Sequence, residues 1–167
     1  MFRSVASAAA LVATVALLPR AARGQLPIPS VTVMAGVSHY DLATSGSAPF
    51  GALRVDVPLL MVVAEGSLGA FWPNEAGTHR TYVIPEAQVQ YQFLPVLVRP
   101  YVGAGIGWFR AVTGPSPQAN DVTLSASIGV RVGIPLTGIG FRAEARTREI
   151  GSSLGRRTTE WTVGASW

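Results

Sequence analysis

The sequence contains no cysteine and no lysine, and it carries little charge of either sign. Without cysteine the chain can form no disulfide framework, no thiolate metal site and no cysteine nucleophile. Only 13% of its residues are charged, whereas soluble globular domains average about 25%. We therefore expect part of the surface to face a solvent other than water.

All 13 basic residues are arginine, and the formal net charge is +4. Three of them, Arg3, Arg20 and Arg23, lie near the N-terminus, which leaves ten arginines against nine acidic residues in the rest of the chain. Such a small excess does not favour a surface for a polyanion. We expect no nucleic-acid partner.

Residues 1–24 have the organisation of a secretory signal peptide. Arg3 gives a basic start, residues 5–18 are mostly apolar, and small residues lead up to Gly24. As a helix the apolar stretch would rise only about 21 Å, which is short of the ~30 Å hydrocarbon core of a membrane. The sequence predicts cleavage after Gly24 and one mature domain over residues 25–167.

No later apolar run approaches 18 residues, so the mature chain has no candidate for a helical membrane span. If the chain resides in a membrane, it must cross it with strands, because only helices and closed barrels satisfy every backbone polar group in lipid.

From Ser30 onward apolar residues alternate with polar or small residues, which is the period of a β-strand. The segment Asp121–Pro135 gives the clearest pattern, with an apolar residue at every even position from Val122 to Ile134. The same alternation predicts eight strands in all, at about residues 30–41, 50–57, 61–72, 83–93, 100–111, 121–135, 141–146 and 160–167.

The connections between these strands are predicted to be alternately long and short. Residues 42–49, 73–79, 113–120 and 150–157 are longer and rich in turn formers, whereas the breaks near Pro58, 94–98 and 135–138 are tighter. This order is typical of an antiparallel up-and-down β-barrel of the bacterial outer membrane, with short periplasmic turns and longer outer loops.

Alternation does not say which face is outside, because a soluble lipocalin-like binding barrel has the same period with its apolar face inward. The polar face from Thr123 to Gly133 carries one charge, Arg131, whereas a water-facing surface should be roughly 25–35% charged. Small residues suit a crowded interior instead, and Gly103, Gly105 and Gly107 follow the same pattern. We predict a transmembrane barrel and keep the soluble barrel as an alternative.

Aromatic residues on the apolar phase agree with this orientation. Trp72 and Trp108 lie near predicted outer loops, while Phe93, Phe141 and Trp167 lie near predicted periplasmic turns. Two interfacial girdles of a membrane barrel would have this distribution.

The strand from Pro100 to Gly107 and the aromatic end of the final strand resemble the small outer-membrane β-barrel family that includes the OmpA membrane domain and OmpX-like proteins. The resemblance implies a location in the bacterial outer membrane and folding by the β-barrel assembly machinery. It also implies that the last strand is the assembly signal, read from Trp161, Val163, Ala165 and Trp167. The family usually ends in Phe, so Trp167 is a departure.

If the polar face of each strand points inward, nine charged residues lie in the lumen, four positive and five negative. An eight-stranded barrel is filled by its side chains, so charges inside it must be paired. We predict an arginine and carboxylate network that plugs the barrel and excludes an open pore. Its members are Arg54, Asp56, Glu65, Glu86, Arg131, Arg142, Glu144, Arg146 and Glu160.

An enzyme is the main alternative function, because barrels of this size include lipid A deacylases and acyltransferases that use His and Ser near the lipid boundary. Only His39 and His79 are available. Ser38 cannot readily pair with His39, since consecutive strand residues point to opposite faces. A serine or glutamate on a neighbouring strand could still do so, but we expect no catalytic site.

The preferred function is a structural, envelope-stabilising or surface-interacting role for a monomer without cofactor or metal. Charged residues on or beside the predicted outer loops could contact lipopolysaccharide phosphates. These residues are His79, Arg80, Arg110, Arg156 and Arg157.

Overall fold

The structure is a computed structural model that describes residues 28–42, 44–75, 77–93, 97–113, 120–151 and 156–167. The predicted signal peptide lies outside the described residues and stays a prediction. Within those ranges, no helix is long and apolar enough to cross a membrane.

Eight antiparallel strands close into a single barrel, as predicted. Each strand pairs with its neighbours along the chain, and the first strand closes on the last. A two-stranded hairpin of Asn74–Glu75 and Thr78–His79 lies between the third and fourth strands. The barrel strands are β1 (Ser30–Asp41), β2 (Ser45–Leu59), β3 (Val62–Phe71), β4 (Thr81–Gln92), β5 (Val98–Thr113), β6 (Asn120–Gly133), β7 (Gly140–Ile150) and β8 (Arg157–Ser166).

The pairing register fixes the stagger of the strands. A row of directly paired residues that starts at Ser47 and passes once round the barrel returns to β2 at Val57, ten residues further along. A stagger of this size tilts the strands by roughly 40° from the barrel axis. The row runs through His39, Thr159, Thr147, Ala126, Ala104, Val89 and Ala64.

Two ends of the barrel are distinguished by their connections. At the loop end β1, β3, β5 and β7 finish and β2, β4, β6 and β8 begin, and at the turn end β2, β4 and β6 finish and β3, β5 and β7 begin. In an outer-membrane barrel the short turns face the periplasm, so we take the loop end as the outer one.

Polar side chains line the lumen and apolar ones cover the outside. Arg54 and Arg146 are each 1% exposed, whereas Leu124 and Ile128 are 62% and 63% exposed. A soluble lipocalin-like barrel would require the opposite arrangement, so this distribution is that of a transmembrane barrel.

The strand β2 begins earlier than predicted and shortens the first loop. Residues 45–49 pair with β1 across Asp41 to Val37, which reduces the predicted loop 42–49 to residues 42–44. The predicted break near Pro58 is also displaced, because Pro58 remains in β2 opposite Val63. The turn follows at Leu60, which adopts a positive φ of 62°.

The strand β7 extends four residues beyond its predicted end at residue 146. Thr147 and Glu149 on its outward face are polar. The alternation of apolar residues in the sequence therefore stops before the strand does. The extension brings Arg148 into the lumen as a tenth interior charge, fully buried.

The contrast between long and short connections is weaker than predicted. The first loop has three residues, while the turn between β6 and β7, residues 134–139, has six. That turn contains Leu136 and Gly138, both with positive φ.

Candidate functional site

The alternation of the strands brings ten charged side chains into the lumen, and they form one network. The nine predicted residues are all inside, joined by Arg148. Among the residues that the structure describes, five arginines therefore face five carboxylates, so the charges of the network balance. Charges buried in this way are tolerable only when paired and hydrogen-bonded.

Glu144 on β7 is the most connected carboxylate. Its Oε1 accepts hydrogen bonds from Arg54 Nη1 at 2.7 Å and from Arg146 Nε at 2.8 Å. Its Oε2 accepts from Arg142 Nη2 at 2.5 Å and from the Tyr101 hydroxyl at 2.6 Å. One carboxylate thus joins side chains from β2, β5 and β7 across the lumen.

Glu65 on β3 is the second centre of the network. It accepts hydrogen bonds from Arg142 Nη1 at 2.6 Å, from Arg146 Nη2 at 2.7 Å and from Gln90 Nε2 at 2.8 Å. Arg142 and Arg146 therefore each bridge Glu65 and Glu144. The planar guanidinium, with five fixed donors, is the group suited to serve two carboxylates in this way.

Two further pairs extend the network towards the ends of the barrel. Near the turn end, Arg131 binds Asp56 in a bidentate pair with distances of 3.0 and 3.1 Å. Towards the loop end, Arg148 binds Glu86 through Nε at 2.6 Å and Glu160 through Nη1.

Two glycines on β5 leave room for polar side chains of the neighbouring strands. A Cβ atom at Gly103 would lie 2.8 Å from the Gln90 Cγ and 2.9 Å from both the Gln88 Oε1 and the Ser127 Oγ. Gly105 is equally close to its neighbours. The inward phase of β5 therefore carries no side chain at these two positions because polar side chains from β4 and β6 occupy the space.

An aromatic layer closes the lumen above the charges, towards the loop end. Phe71 stacks on Tyr82 with ring centroids 5.1 Å apart, and Tyr82 stacks on Phe109 at 4.6 Å. Tyr40 contacts Phe71 at 6.1 Å. All four rings are buried. Sequence reasoning missed this layer, although the four residues do share the inward phase of their strands.

Four polar atoms on the wall formed by β1 and β8 have no hydrogen-bond partner in the described part of the chain. They are the hydroxyls of Ser38, Thr158 and Thr162 and the Oε2 of Glu160. Buried polar atoms of this kind are usually satisfied by ordered water. We expect individual bound waters along this wall.

The predicted rim residues are all near the loop end, but they do not form one cluster. Arg156 pairs with Asp121 at 2.8 Å. Arg157 is exposed, and its cross-strand neighbours in the strand register are Asp41 on β1 and Glu149 on β7. Arg110 is exposed on β5, and strands β6 and β7 separate it from Arg157 on β8. His79 is exposed in the small hairpin, and the backbone of Arg80 donates to Pro73.

The predicted girdle residues face outward at the two ends of the barrel. Trp72 and Trp108 are about half exposed near the loop end, and Phe93, Phe141 and Trp167 are about half exposed near the turn end. The final strand places Trp161 and Val163 outward as well, with Ala165 partly covered. The backbone of Trp167 exchanges two hydrogen bonds of 3.0 Å with Val31.

His39 forms a contact that links two strands on the outer surface. Its Nδ1 lies 2.7 Å from the Ser47 Oγ, and both side chains are exposed. The two residues are directly paired across β1 and β2, close to the loop end. Val37, two residues before His39 on the same outward face of β1, is apolar and exposed. The pair therefore lies at the loop-end edge of the apolar outer surface.

No cluster of three or more histidine, cysteine or carboxylate side chains that could hold a metal ion occurs within the described ranges.

No protein-family model matches the chain, and no curated protein matches its sequence. Solved structures do share its fold. Neisserial surface protein A superposes with a TM-score of 0.69 at 16% identity, over 83% of this chain and 95% of that one. The N-terminal β-barrel domain of Pseudomonas aeruginosa OprF gives 0.57 at 18% identity, over 83% and 97%. The outer membrane enzyme PagL gives 0.55 at 12% identity, over 82% and 97%.

The chain therefore has the fold of the small, eight-stranded β-barrels of bacterial outer membranes. Together with the apolar outer surface, this likeness supports the predicted location in an outer membrane. Membership of the OmpA and OmpX-like family stays a prediction.

Proposed function

We propose that the chain is a non-enzymatic, OmpA- or OmpX-like structural barrel that stabilises the outer membrane through its loop end. The observation that carries this proposal is the balanced interior network. Among the described residues, five arginines and five carboxylates lie in the lumen. Their ion pairs join side chains from different strands. Such an interior favours a rigid, sealed barrel over a diffusion pore.

A sealed lumen leaves the outer surface as the place where the protein can act. The aromatic layer supports this view, because the rings of Phe71, Tyr82 and Phe109 cover the charges on the side facing the loops. Molecules that meet the loop end would therefore contact the rim and not the interior.

The partner that best fits the rim is the phosphate group of lipopolysaccharide. Guanidinium groups bind phosphates with two parallel, charge-assisted hydrogen bonds. Arg110 and Arg157 are exposed near the loop end, and Arg156 directly precedes Arg157 in sequence. We further propose that the protein works as a monomer and that Trp161, Val163, Ala165 and Trp167 are read by the assembly machinery.

Reversing the charges of Arg156 and Arg157 with glutamate is expected to lower the affinity for lipopolysaccharide roughly tenfold or more, because one charge-assisted hydrogen bond contributes about 1.5–3 kcal/mol. Arg157 should account for most of the loss, since Arg156 is already paired with Asp121. Binding to purified lipopolysaccharide and sensitivity of the host to hydrophobic antibiotics would measure the effect.

The matched control replaces the same two residues by lysine, which keeps the positive charge. Lysine variants should bind lipopolysaccharide far better than the glutamate variants. Equal binding by the unaltered protein, the glutamate variant and the lysine variant would exclude the rim as the contact surface.

The contact between His39 and Ser47 favours a second candidate function, the hydrolysis of acyl esters in membrane lipids. A serine hydroxyl activated by a neighbouring imidazole is a common nucleophile. In the tautomer protonated on Nε2, Nδ1 accepts the Ser47 proton as Oγ attacks the ester carbonyl. The imidazolium then returns the proton to the leaving alcohol, and water releases the acyl group from Ser47 by the reverse sequence.

Replacing either His39 or Ser47 by alanine is expected to reduce such an activity by roughly 100-fold or more. Ser45 supplies the control, because it is exposed on the same strand two residues earlier, and Ser45→Ala should leave the rate unchanged. The measurement is release of fatty acid from lipid A or phospholipid in mixed micelles. If the unaltered protein releases no fatty acid, or if all three variants match it, the hydrolase proposal fails.

A further inference from the structure

The turn end of the barrel carries an exposed apolar surface. Leu60, between β2 and β3, is 98% exposed, and Leu136, between β6 and β7, is fully exposed. Five more apolar residues in these connections are 40–52% exposed, and we call the seven together the turn-end apolar face. The five are Leu59, Met61, Leu97, Ile134 and Ile139. Such a concentration of exposed apolar side chains is typical of an interaction surface.

The three connections at this end differ from turns that face only water. Residues 60–61, 93–97 and 134–139 contain no charged residue, and Thr137 is their only residue with a polar side chain. Turns in water are usually rich in Asn, Asp and Ser as well as Gly and Pro. These connections contain proline and glycine, but they have leucine, isoleucine, valine and methionine in place of the polar residues.

The backbone at Leu60 and Leu136 is strained. Their φ angles are 62° and 69°, in the left-handed region that glycine adopts freely and asparagine tolerates, whereas other side chains cost free energy there. Neither leucine side chain is buried against the barrel, so its packing does not offset this cost. A contact with a molecule outside the barrel would offset it.

Neither hydrocarbon nor a second barrel is suited to this face. A turn leaves backbone N–H and C=O groups without a partner strand, and the membrane core offers them no hydrogen bond. Two turn ends cannot meet, because all copies in one membrane present this end to the same side. The partner is therefore a molecule in the space that the turn end faces, the periplasm.

The mouth of the lumen at the turn end has an excess of positive charge. Arg99 shares the inward phase of Tyr101 and is exposed, and it lies directly opposite Arg131 on β6. The acidic residue at this level is Asp56, which pairs with Arg131. The other eight acidic residues of the sequence lie deeper in the lumen or towards the loop end. A partner with an acidic side chain would be complementary to this charge.

Leu60 and Leu136 lie on opposite sides of this mouth, because their turns are four strands apart in either direction around the closed sheet. With strands about 4.8 Å apart and tilted by roughly 40°, an eight-stranded barrel is about 16 Å across. An α-helix rises about 1.5 Å per residue, so roughly three turns of a helix span this distance with both ends of the span on one face.

We infer that the turn-end apolar face docks an amphipathic helix of a periplasmic protein. The helix lies across the mouth, its apolar side chains contact Leu60 and Leu136, and an acidic side chain between them faces Arg99. Recognition by apolar anchors on one face of a helix is a common mode of peptide binding. The inference goes beyond the role proposed for the loop end and does not depend on it.

Photo-crosslinking in the cells that make the protein tests the inference. The full chain carries a photoreactive amino acid in place of Leu60 or of Leu136, and light is applied after protein synthesis has been stopped, when contacts with the assembly machinery are over. Both variants are expected to capture the same periplasmic protein, through a segment with apolar residues on one helical face and an acidic residue between them. A photoreactive residue in place of His79, exposed near the loop end, is the control and should not capture it.

The charge at Arg99 gives a matched pair of variants. Arg99→Glu should lower the yield of the cross-linked product at least fivefold, because it places a like charge opposite the acidic side chain. Arg99→Lys should preserve the yield. The absence of any protein adduct, an adduct with lipid alone, or equal yields from the two Arg99 variants would overturn the inference.

Combining Leu60→Asn with Leu136→Asn separates docking from folding. Asparagine tolerates a positive φ, so the urea midpoint for unfolding of the barrel in lipid vesicles should stay the same or rise. Cross-linking from a photoreactive residue in place of Leu97 should nevertheless fall at least fivefold. A lower urea midpoint would overturn the inference, since the leucines would then stabilise the barrel itself.

Discussion

Replacing Glu144 by alanine is expected to lower the free energy of unfolding of the barrel by about 3–5 kcal/mol. Glu144 accepts hydrogen bonds from Arg54, Arg142 and Arg146, which are all buried. Without it, the five guanidinium groups of the network share the four remaining carboxylates, and the interior carries an uncompensated positive charge. The loss comes mainly from that unpaired charge, because a complete buried ion pair adds little net stability.

Glu149→Ala is the matched control, since Glu149 lies on the same strand but faces outward and is exposed. Its replacement should change the free energy of unfolding by no more than about 0.5 kcal/mol. Urea unfolding in lipid vesicles, followed by the fluorescence of the four outward-facing tryptophans, would measure both variants. If the two substitutions cost the same, the network does not hold the barrel together.

Phe71→Ala is expected to lower the free energy of unfolding by a similar amount, about 3–5 kcal/mol, because it leaves a cavity in the aromatic layer. Phe71 is fully buried, and its ring contacts those of Tyr40, Tyr82 and Phe109. The neighbouring rings are held by paired strands and can collapse only partly into the space.

Phe141→Ala gives the comparison for this change. Phe141 is 53% exposed on the membrane face, where lipid chains can fill the vacated space, so its loss should cost clearly less in the same urea titration. A larger effect at Phe141 than at Phe71 would mean that the girdle, and not the aromatic layer, stabilises this region.

The faces of the strands could be predicted because alternation is local. The period of two assigned Arg54, Glu65 and Glu144 to the lumen without any knowledge of which strands pair. Arg148 shares the phase of Arg146 and so carried the same signal. It was missed because Thr147 and Glu149 interrupt the apolar phase, so β7 was predicted to end too early.

The aromatic layer was harder to predict, because it depends on register. Tyr40, Phe71, Tyr82 and Phe109 lie near the loop ends of four different strands. Phe71 and Tyr82 are directly paired, but the stagger of the strands decides which rings meet across the lumen. Each ring alone is an isolated aromatic residue on a polar face.

The contact of His39 with Ser47 shows the same limit. Ser47 fell in the predicted loop 42–49, where it would have had no fixed partner. Only the pairing of β1 with residues 45–49 brings the two side chains to 2.7 Å. A strand boundary that was wrong by five residues was enough to conceal the candidate dyad.

The central claim is that side chains seal the lumen. The most direct test is recording of single-channel currents from the purified, folded protein in a planar lipid bilayer. The interior network and the aromatic layer predict that no stable, large conductance is seen at any applied voltage that the bilayer withstands. A reproducible, ion-selective open state of porin size in the unaltered protein would contradict the account.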